Sequence, residues 1–257
     1  MAASSVRIHP TAVVEPGAEL GERVVIGPFC YVAKDVILGD ESELVAQVTL
    51  LGPARFGKRN LVFPNAVLGA APQDRSYQGE ETSLEVGSDN QFREGVTVHR
   101  GTAKGTGTTR IGSRCLFMVG AHVAHDCDIA DSVTLANLTS LGGHVRVGRG
   151  VVSGGHVAVA PLTKIGTLSF LAGGARVERD VPPFTIVSGD RARVRGINRV
   201  GLRRAGVAEP TIQRLERVYR ALWASSEPLR VAARELPVEL SDDAYVQQLL
   251  AVIRDQR

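Results

Sequence analysis

Aromatic residues are scarce in this chain of 257 residues, and long apolar runs are absent from it. Phe, Trp and Tyr together make up 5% of the sequence, whereas glycine occurs 28 times. A chain poor in aromatics and rich in glycine favours many short strands and turns over a helical bundle. No run reaches the roughly 18 apolar residues that a membrane-spanning helix needs, so we do not expect an integral membrane protein.

The first residues and the cysteines bear on the cellular compartment. The opening MAASSVRIHP contains no apolar h-region, so no secretory signal is expected. Cys30, Cys115 and Cys127 are odd in number and lack the spacing of metal ligands. We therefore expect a cytoplasmic protein without disulfides.

The formal net charge of +3 is small, but arginine is concentrated in one segment. The clustered residues are Arg191, Arg193, Arg195, Arg199, Arg203 and Arg204. Such a cluster is either a solvated basic face or a binding site for phosphates or for an acidic protein partner. Nucleic acid is not expected as a partner, because no aromatic residues alternate with the arginines.

A repeat of six residues runs along most of the chain. Apolar residues recur at this interval from Ile8 to Leu68 and again from Ile111 to Val177, with Ser153 as an exception. The period fits neither a helix of about 3.6 residues per turn nor a two-residue alternation. It is the hexapeptide signature of a parallel β-helix, in which three hexads close one triangular coil. All three cysteines fall four residues after an apolar position, where a small inward side chain is required, so we interpret them as core residues.

The repeat also divides the chain into regions. Residues 70–84 and 101–110 do not fit the hexads and are predicted to loop out of the wall, where binding residues are common. Residues 1–190 are therefore assigned to the β-helix and residues 191–257 to a small C-terminal α-helical domain. In that domain Pro210 marks a helix start, and shorter helices are predicted over 227–235 and 242–255. Candidate N-caps for the shorter helices are Ser226 and Ser241.

The stretch FMVGAHVAHDCD, residues 117–128, contains the strongest candidate for catalysis. His122 and His125 are three residues apart, and Asp126 follows the second. A histidine, with an unperturbed pKa of ~6.5, accepts a proton near neutral pH, and a neighbouring carboxylate can hold its tautomer. The pattern indicates a general base. Because His-x-x-His-Asp alone is a weak motif, a pair of ordinary buried or surface histidines stays open.

Longer motifs carry a resemblance to a known family. They are, in chain order, IHPTAVVEPGA (8–18), IGPFC (26–30), QD-x-x-Y (73–77), FREGVTVHRGT (92–102), AHVAHDC (121–127), GGHV (142–145) and DVPPF (180–184). From about Ile8 to Arg204 the chain resembles the UDP-N-acetylglucosamine O-acyltransferases of lipid A biosynthesis, the LpxA type of hexapeptide acyltransferase. The resemblance implies a left-handed parallel β-helix and a homotrimer with active sites between subunits. It also implies transfer of a 3-hydroxyacyl chain from acyl carrier protein to the glucosamine 3-hydroxyl of the UDP-sugar, without a metal or a dissociable cofactor.

The resemblance assigns roles residue by residue. His125 would be the general base, Asp126 would orient it, and the backbone N–H of Gly143 would donate to the oxyanion. Gly173 matches the position that sets acyl-chain length, and a glycine there leaves the channel open to a longer chain. The positions that match substrate contacts are Gln73, Asp74, His99, His122, His144, Asn198 and Arg204, the last two on the nucleotide diphosphate.

The sequence departs from the family pattern at several positions. Ala160-Pro161 replaces a His-Gln pair, Ser76 replaces a lysine, and Val200 replaces a glutamate. His156, one hexad before Ala160, is not an obvious substitute for the missing histidine. These changes leave the base and the oxyanion donor in place but put the identity of the acceptor in doubt.

Three other functions stay open on the sequence. An N-acyltransferase that acts on a 3-amino UDP-sugar would use the same scaffold, although His122 leans towards a hydroxyl acceptor. A hexapeptide-fold zinc enzyme would bind metal through His122, His125 and His144, but Asp74 and the C-terminal helices argue against it. A non-catalytic homologue is the third, raised by Ala160-Pro161.

Overall fold

The hexads form a parallel β-helix with three faces, as predicted. In the computed structural model, which describes residues 5–223 and 225–255, the strands fall into sheets of eleven, nine and eight strands. Val25 pairs with Glu43, one coil of eighteen residues further along the chain, and Glu43 pairs with Leu61 in the same way. One coil therefore contains three hexads, and each hexad supplies one short strand and one turn.

The described residues contain 28 strands. In chain order they are β1 (Arg7–Ile8), β2 (Val13–Val14), β3 (Glu19–Leu20), β4 (Val25–Ile26), β5 (Tyr31–Val32), β6 (Val36–Leu38), β7 (Glu43–Leu44), β8 (Thr49–Leu50), β9 (Ala54–Phe56), β10 (Leu61–Val62), β11 (Val67–Ala70), β12 (Ser83–Val86), β13 (Gln91–Phe92), β14 (Thr97–His99), β15 (Thr108–Ile111), β16 (Leu116–Phe117), β17 (His122–Val123), β18 (Asp128–Ile129), β19 (Thr134–Leu135), β20 (Ser140–Leu141), β21 (Arg146–Val147), β22 (Val152–Ser153), β23 (Ala158–Val159), β24 (Lys164–Ile165), β25 (Phe170–Leu171), β26 (Arg176–Val177), β27 (Thr185–Ser188) and β28 (Arg193–Ile197).

Sheet membership follows the order of the strands. The first sheet takes every third strand from β1 to β25 and then β27 and β28, the second runs from β2 to β26, and the third from β3 to β24. The last two strands of the first sheet are antiparallel, with Thr185 opposite Ile197. This hairpin ends the parallel coils, and its second strand lies in the segment assigned to the helical domain.

The interior of the coils is apolar. Phe92 and Phe117 stack with ring centroids 4.9 Å apart. Cys30, Cys115 and Cys127 are buried and free, which confirms them as core residues. Burial raises the pKa of Cys127 to about 12, so this thiol stays protonated and chemically inert at neutral pH.

The two insertions are shorter than predicted. Strand β11 ends at Ala70 and β12 begins at Ser83, so the first loop covers residues 71–82. The second loop covers residues 100–107, because Thr108–Ile111 pairs with Ser83–Val86 in the third sheet. The ends of both insertions thus satisfy their backbone groups by strand pairing although they break the hexad phase. Both loops leave the coil at one corner, where the second sheet passes to the third.

Five helices follow the hairpin in the described part of the chain. They are α1 (Arg199–Arg204), α2 (Glu209–Trp223), α3 (Leu229–Arg234), α4 (Val238–Ser241) and α5 (Ala244–Asp255). Pro210 lies in the first turn of α2, as predicted, whereas α1 and α4 were not predicted. The predicted N-caps are wrong: Pro228 precedes α3 without a side-chain cap, and Ser241 is the last residue of α4. Instead, Asp243 Oδ1 accepts from the N–H of Tyr245 at 2.9 Å and of Val246 at 3.3 Å, because a carboxylate reaches the orphan amides of a first turn.

The helices pack around a core of their own. Leu202, Leu215 and Leu249 are fully buried in it, and Phe184 and Ile197 from the end of the first sheet join them. Among residues 5–223 and 225–255, no helix combines the length and hydropathy required to cross a bilayer.

Candidate active site

One corner of the β-helix carries most of the predicted catalytic residues. His125 and Asp126 lie in the turn between β17 of the second sheet and β18 of the third, and Gly143 and His144 occupy the same turn one coil later. Asp126 and His144 both adopt the left-handed backbone conformation, with φ of 59° and 62°. Aspartate and histidine tolerate this conformation better than β-branched residues do, so the turn geometry allows functional side chains here.

His125 and Asp126 form a hydrogen-bonded pair. The Nδ1 of His125 lies 2.9 Å from Oδ2 of Asp126, and the side chains are 20% and 0% exposed. With the proton on Nδ1, the ring donates to the carboxylate and leaves Nε2 as a free acceptor. The geometry is that of a base held in one tautomer by a buried anion.

Asp126 is enclosed by the second loop. The hydroxyl of Thr102 donates to its Oδ2 at 2.6 Å, and the Thr102 and Thr106 N–H groups donate to Oδ1 at 3.1 and 2.9 Å. The Asp126 N–H donates in turn to the hydroxyl of Thr109 at 2.8 Å. Burial would raise the pKa of Asp126, but the hydrogen bonds from Thr102, His125 and Thr106 outweigh burial and lower it. The carboxylate is therefore ionised at neutral pH.

Gly143 lies directly against the His125 ring. A methyl group added to its Cα would come within 2.6 Å of Cε1 of His125. The residue is buried, and among the described residues its N–H has no hydrogen-bond acceptor. A buried amide that is not used by the fold can donate to a substrate oxygen beside His125.

His144 completes a group of three around the carboxylate. Its Nε2 lies 3.9 Å from Oδ2 of Asp126, and its ring meets that of His125 edge to face at 5.1 Å. The ligand atoms of these three residues lie within 4.8 Å of one another, so the group is compact enough for a metal ion. Both Asp126 oxygens, however, already accept hydrogen bonds from Thr102 and Thr106. The zinc site predicted from the sequence used His122 rather than Asp126, and His122 does not belong to this group. This donor set suits proton transfer better than metal binding.

His99 and His122 form a second pair on the second sheet. Their rings meet edge to face at 5.1 Å, and the hydroxyl of Thr97 lies 2.8 Å from Nδ1 of His122. Burial, reinforced by the neighbouring His122, His125 and Arg100, lowers the pKa of His99 to about 4, and burial also lowers that of His122. His99 is therefore neutral at physiological pH and can position a substrate without adding charge.

The first loop brings Asp74 to the same corner. Its Oδ1 accepts from both the N–H and the hydroxyl of Ser76 at 2.8 Å. These bonds, together with the charges of Lys104 and His125, lower the pKa of Asp74, which places the carboxylate within electrostatic reach of the base. Gln73 is exposed beside it. The residue that replaces the family lysine, Ser76, thus fixes the orientation of Asp74.

Three predicted residues lie at other corners. Gly173 is in a turn between the first and second sheets, as is His156 one coil earlier. Arg204 is exposed on a cleft of about 510 Å³ where the third sheet passes to the first. Asn198 uses both ends of its amide inside the chain: Nδ2 donates to the Leu168 carbonyl at 2.8 Å, and Oδ1 accepts from Gly201 N–H at 3.0 Å. A single chain therefore does not bring these residues to His125.

The turn that departs from the family pattern forms an apolar edge of the site. Ala160-Pro161 lies one coil beyond Gly143, and the next residue, Leu162, is 72% exposed. Leu162 and His144 line a cleft of about 310 Å³ beside Asp126, and Arg146 and Lys164 also face it. The site thus places an exposed apolar side chain, Leu162, next to the cationic side chains of Arg146 and Lys164.

The arginine cluster is only partly free. Arg203 forms a bidentate ion pair with Glu209 at 2.8 and 2.9 Å, and the Arg199 Nε lies 3.3 Å from a carboxylate oxygen of Glu216. Among the described residues Arg204 has no carboxylate partner, although it stands beside Arg203. Arg204 is therefore available to a ligand, whereas its neighbours stabilise the helices.

Comparisons with known proteins agree with the fold and the motifs. Residues 180–257 match the family model for domain 2 of UDP-N-acetylglucosamine O-acyltransferase. The acyl-(acyl-carrier-protein)–UDP-N-acetylglucosamine O-acyltransferase of Halorhodospira halophila is 42% identical over 247 residues, which is 96% of each chain. The protein of the same name from Anaeromyxobacter sp. is 44% identical over 233 residues, 91% of each chain.

Solved structures are similar over the same length. LpxA from Acinetobacter baumannii superposes with a TM-score of 0.92 at 35% identity and covers 97% of both chains. LpxA from Bacteroides fragilis, a UDP-N-acetylglucosamine acyltransferase, superposes with a TM-score of 0.94 at 33% identity and covers 97% of this chain and 98% of that one. The agreement includes the helices, which were the region with the weaker sequence signal.

Proposed function

The chain belongs to the LpxA family of UDP-N-acetylglucosamine O-acyltransferases, and we propose that the corner around His125 is its catalytic centre. The protein transfers a 3-hydroxyacyl chain from acyl carrier protein to the glucosamine 3-hydroxyl of UDP-N-acetylglucosamine. The observation that carries the site assignment is the 2.9 Å contact between His125 Nδ1 and a fully buried Asp126. It fixes the one ring nitrogen that can act as a base.

The proposed mechanism uses this ring twice. Nε2 of His125 removes the proton from the sugar 3-hydroxyl while the oxygen attacks the thioester carbonyl of the donor. Asp126 stabilises the imidazolium that forms, and general-base assistance of this kind contributes roughly two to four orders of magnitude. When the tetrahedral intermediate collapses, the carbon–sulfur bond breaks, and the imidazolium returns its proton to the departing thiolate.

Gly143 would stabilise the negative charge that develops on the carbonyl oxygen. The Gly143 backbone lies against the His125 ring, and its N–H makes no hydrogen bond among the described residues, so it would be free to donate to the carbonyl oxygen of a donor bound there. One such donor typically contributes about 3 kcal/mol to the transition state. The thioester is already activated, so these protein groups complete the reaction without a metal or a dissociable cofactor.

Substrate binding is proposed to involve several corners of the β-helix. Asp74 with Gln73, and the neutral histidines His99 and His122, would hold the sugar near the base together with His144. Arg204 would bind the nucleotide diphosphate, where a guanidinium suits phosphate oxygens. Asn198 would donate to it through the one Nδ2 hydrogen that the Leu168 carbonyl does not accept. Gly173 would admit a long acyl chain. Because these residues lie at different corners, a homotrimer that joins corners of neighbouring subunits would complete each site. The reaction is proposed to take place in the cytoplasm.

The other readings of the sequence are weaker. The curated relatives are named as O-acyltransferases, so an amine acceptor is not favoured. The saturated hydrogen bonding of Asp126 argues against a zinc site built on it. The intact pair of His125 and Asp126 argues against a non-catalytic homologue.

The test is a mass-spectrometric transfer assay on the purified chain. Hydroxyacyl carrier proteins of several lengths would be offered with UDP-N-acetylglucosamine or its 3-amino analogue. We expect O-acylated product that falls at least about 100-fold in His125→Ala. His9→Ala, which changes an exposed histidine in the first coil, is the matched control. Equal rates for His125→Ala and the native chain would refute the assignment, and product with the amine alone would move the acceptor to the N-acyl class.

A further inference from the structure

Arg100 and Thr102 stand two residues apart at the start of the second loop and contact different halves of the site. Arg100 reaches back to the first loop, which carries Asp74, whereas Thr102 reaches forward to Asp126. The N–H of Gly101, the residue between them, donates at 3.2 Å to the carbonyl of Ser83, the first residue of β12 after the first loop. A segment of three residues therefore connects the two loops at the corner of the base.

Arg100 ties the first loop to the coil wall. Its Nη1 donates to the carbonyls of Gly52 at 2.7 Å and Gly69 at 2.9 Å, and its Nη2 donates to the Tyr77 hydroxyl at 3.2 Å. The Tyr77 N–H donates to the carbonyl of Asp74 at 3.1 Å, which closes the turn that presents the Asp74 carboxylate. The guanidinium fork thus fixes the distance between Asp74 and the wall.

Thr102 holds the carboxylate of Asp126 from the opposite side. Its hydroxyl donates at 2.6 Å to Oδ2, the same oxygen that faces His125, and its N–H donates to both oxygens at 3.1 Å. The loop backbone lies so close that a methyl group on Gly105 would meet Cγ of Asp126 at 2.4 Å. The carboxylate cannot rotate away from the imidazole without breaking this set of bonds.

We propose that Arg100–Thr102 is a positioning element with a divided role. Thr102 sets the orientation and the charge of Asp126 and so acts on the chemical step, whereas Arg100 sets the sugar-binding loop and so acts on acceptor binding. The inference rests on the proposed function of His125, Asp126 and Asp74. It assigns a function to two residues through the protein groups that their side chains bind, the first loop for Arg100 and Asp126 for Thr102.

Thr102→Val tests the first half, because it removes the hydroxyl and keeps the shape. We expect kcat to fall about tenfold and KM for the UDP-sugar to stay within about twofold. The acid limb of the pH profile of kcat/KM should move to higher pH, since a carboxylate with one donor fewer holds the imidazolium proton more strongly. Thr102→Ser, which keeps the hydroxyl, should restore both kcat and the acid limb. The other charged or titratable groups close to the pair are His144, Asp74, Lys104, His99, His122 and Cys127. Arg110, Asp128, Arg146 and Lys164 line the adjoining cleft, and all of these groups are unchanged in the variants.

Arg100→Lys tests the proposed role of Arg100 in acceptor binding, because lysine keeps the positive charge but lacks the guanidinium group that binds several acceptors at once. KM for the UDP-sugar should rise about tenfold while kcat stays within about twofold. Tyr77→Phe, which removes the hydroxyl that Arg100 binds, should shift KM in the same direction. Arg59→Lys is the matched control, since Arg59 pairs with Asp89 on the surface of earlier coils.

Loss of folding can be separated from loss of positioning. Thermal unfolding of each variant reports the folded fraction, and a merely structural role would lower the rate equally at every pH. If Thr102→Val does not fold, Thr106→Val removes a second hydroxyl, which lies 3.2 Å from the same carboxylate and 2.8 Å from the Thr108 carbonyl. Because that hydroxyl has one hydrogen to share between two acceptors, the acid limb should shift in the same direction by a smaller amount. A folded Thr102→Val with native kcat and a native acid limb would overturn the proposal, as would an Arg100→Lys that lowers kcat and leaves KM unchanged. If His125→Ala is fully active, the proposed function itself fails; if that variant is inactive and Thr102→Val is native, only the positioning role fails.

Discussion

Gly143 lies under the imidazole of His125, eighteen residues away in sequence and one coil away in space. The nearest ring atoms, Cε1 and Nε2, would stand 2.6 and 2.8 Å from a Cβ on Gly143, closer than van der Waals contact permits. The Leu162 N–H donates to the Gly143 carbonyl at 2.9 Å and holds that backbone in place. The ring therefore occupies its position only because residue 143 has no side chain.

Gly143→Ala should inactivate the protein without unfolding it. The methyl group would push the His125 ring off the position where it meets Asp126 and, in the proposed mechanism, the substrate hydroxyl. Misplacement by about 1 Å costs on the order of 100-fold in rate. The loss should appear in kcat in the transfer assay, with an unfolding midpoint close to that of the native chain. Gly196→Ala is the matched control, because no atom lies within 4 Å of its added Cβ. Full activity of Gly143→Ala would contradict the tight packing of ring on backbone.

His99 should make the protein less stable in mild acid. Its folded pKa of about 4 lies below the unfolded value of ~6.5, so the unfolded chain binds the proton first as the pH falls. Stability is lost between these two values, by about 2 kcal/mol at pH 5 for this group alone. The difference in the free energy of unfolding between pH 7.5 and pH 5, measured by chemical unfolding, should therefore be smaller by this amount in His99→Gln than in the native chain. His9→Gln serves as the control, and an identical acid loss in His99→Gln and the native chain would show that the buried imidazole is not the cause.

Gly173 should control the length of the transferred chain. An added Cβ would meet only the Gly155 backbone, with the carbonyl oxygen at 3.5 Å and the nitrogen at 3.9 Å, so a larger side chain fits the turn and projects outwards. Gly173→Met should lower the rate with the longest hydroxyacyl donors at least about tenfold relative to shorter ones, because it narrows the space for the chain end. A competition among donors of several lengths measures the ratio. The control is Gly196→Met on strand β28, and an unchanged ratio in Gly173→Met would remove this residue from the acyl site.

The fold could be read from the sequence more completely than the site could. The hexad period states which side chains point inwards, and that is sufficient to predict coils, sheets and the buried cysteines. His125 and Asp126 could be found because they are adjacent in sequence. Thr102 could not, since its bond to Asp126 spans 24 residues and depends on how a loop outside the repeat folds back. The cap at Asp243 was missed for a related reason: several polar residues near the helix start can cap it, and the backbone path decides between them.

The last prediction concerns the distance between His125 and Gly173. In one chain they lie at different corners, so a site that uses both must take them from two subunits. His125→Ala should be inactive with every donor, and Gly173→Met should be at least about tenfold slower with the longest donors. In the proposed homotrimer, co-expression with two different tags and purification on both would give mixed trimers. In each mixed trimer one of the three interfaces joins a native His125 to a native Gly173, so transfer from the longest donor should return to about a third of the native rate. If His125 and Gly173 acted within one subunit, every chain would carry one defect, and the mixed trimers would be no faster with the longest donor than Gly173→Met alone. Recovery would thus establish both the shared site and the assembly that it requires.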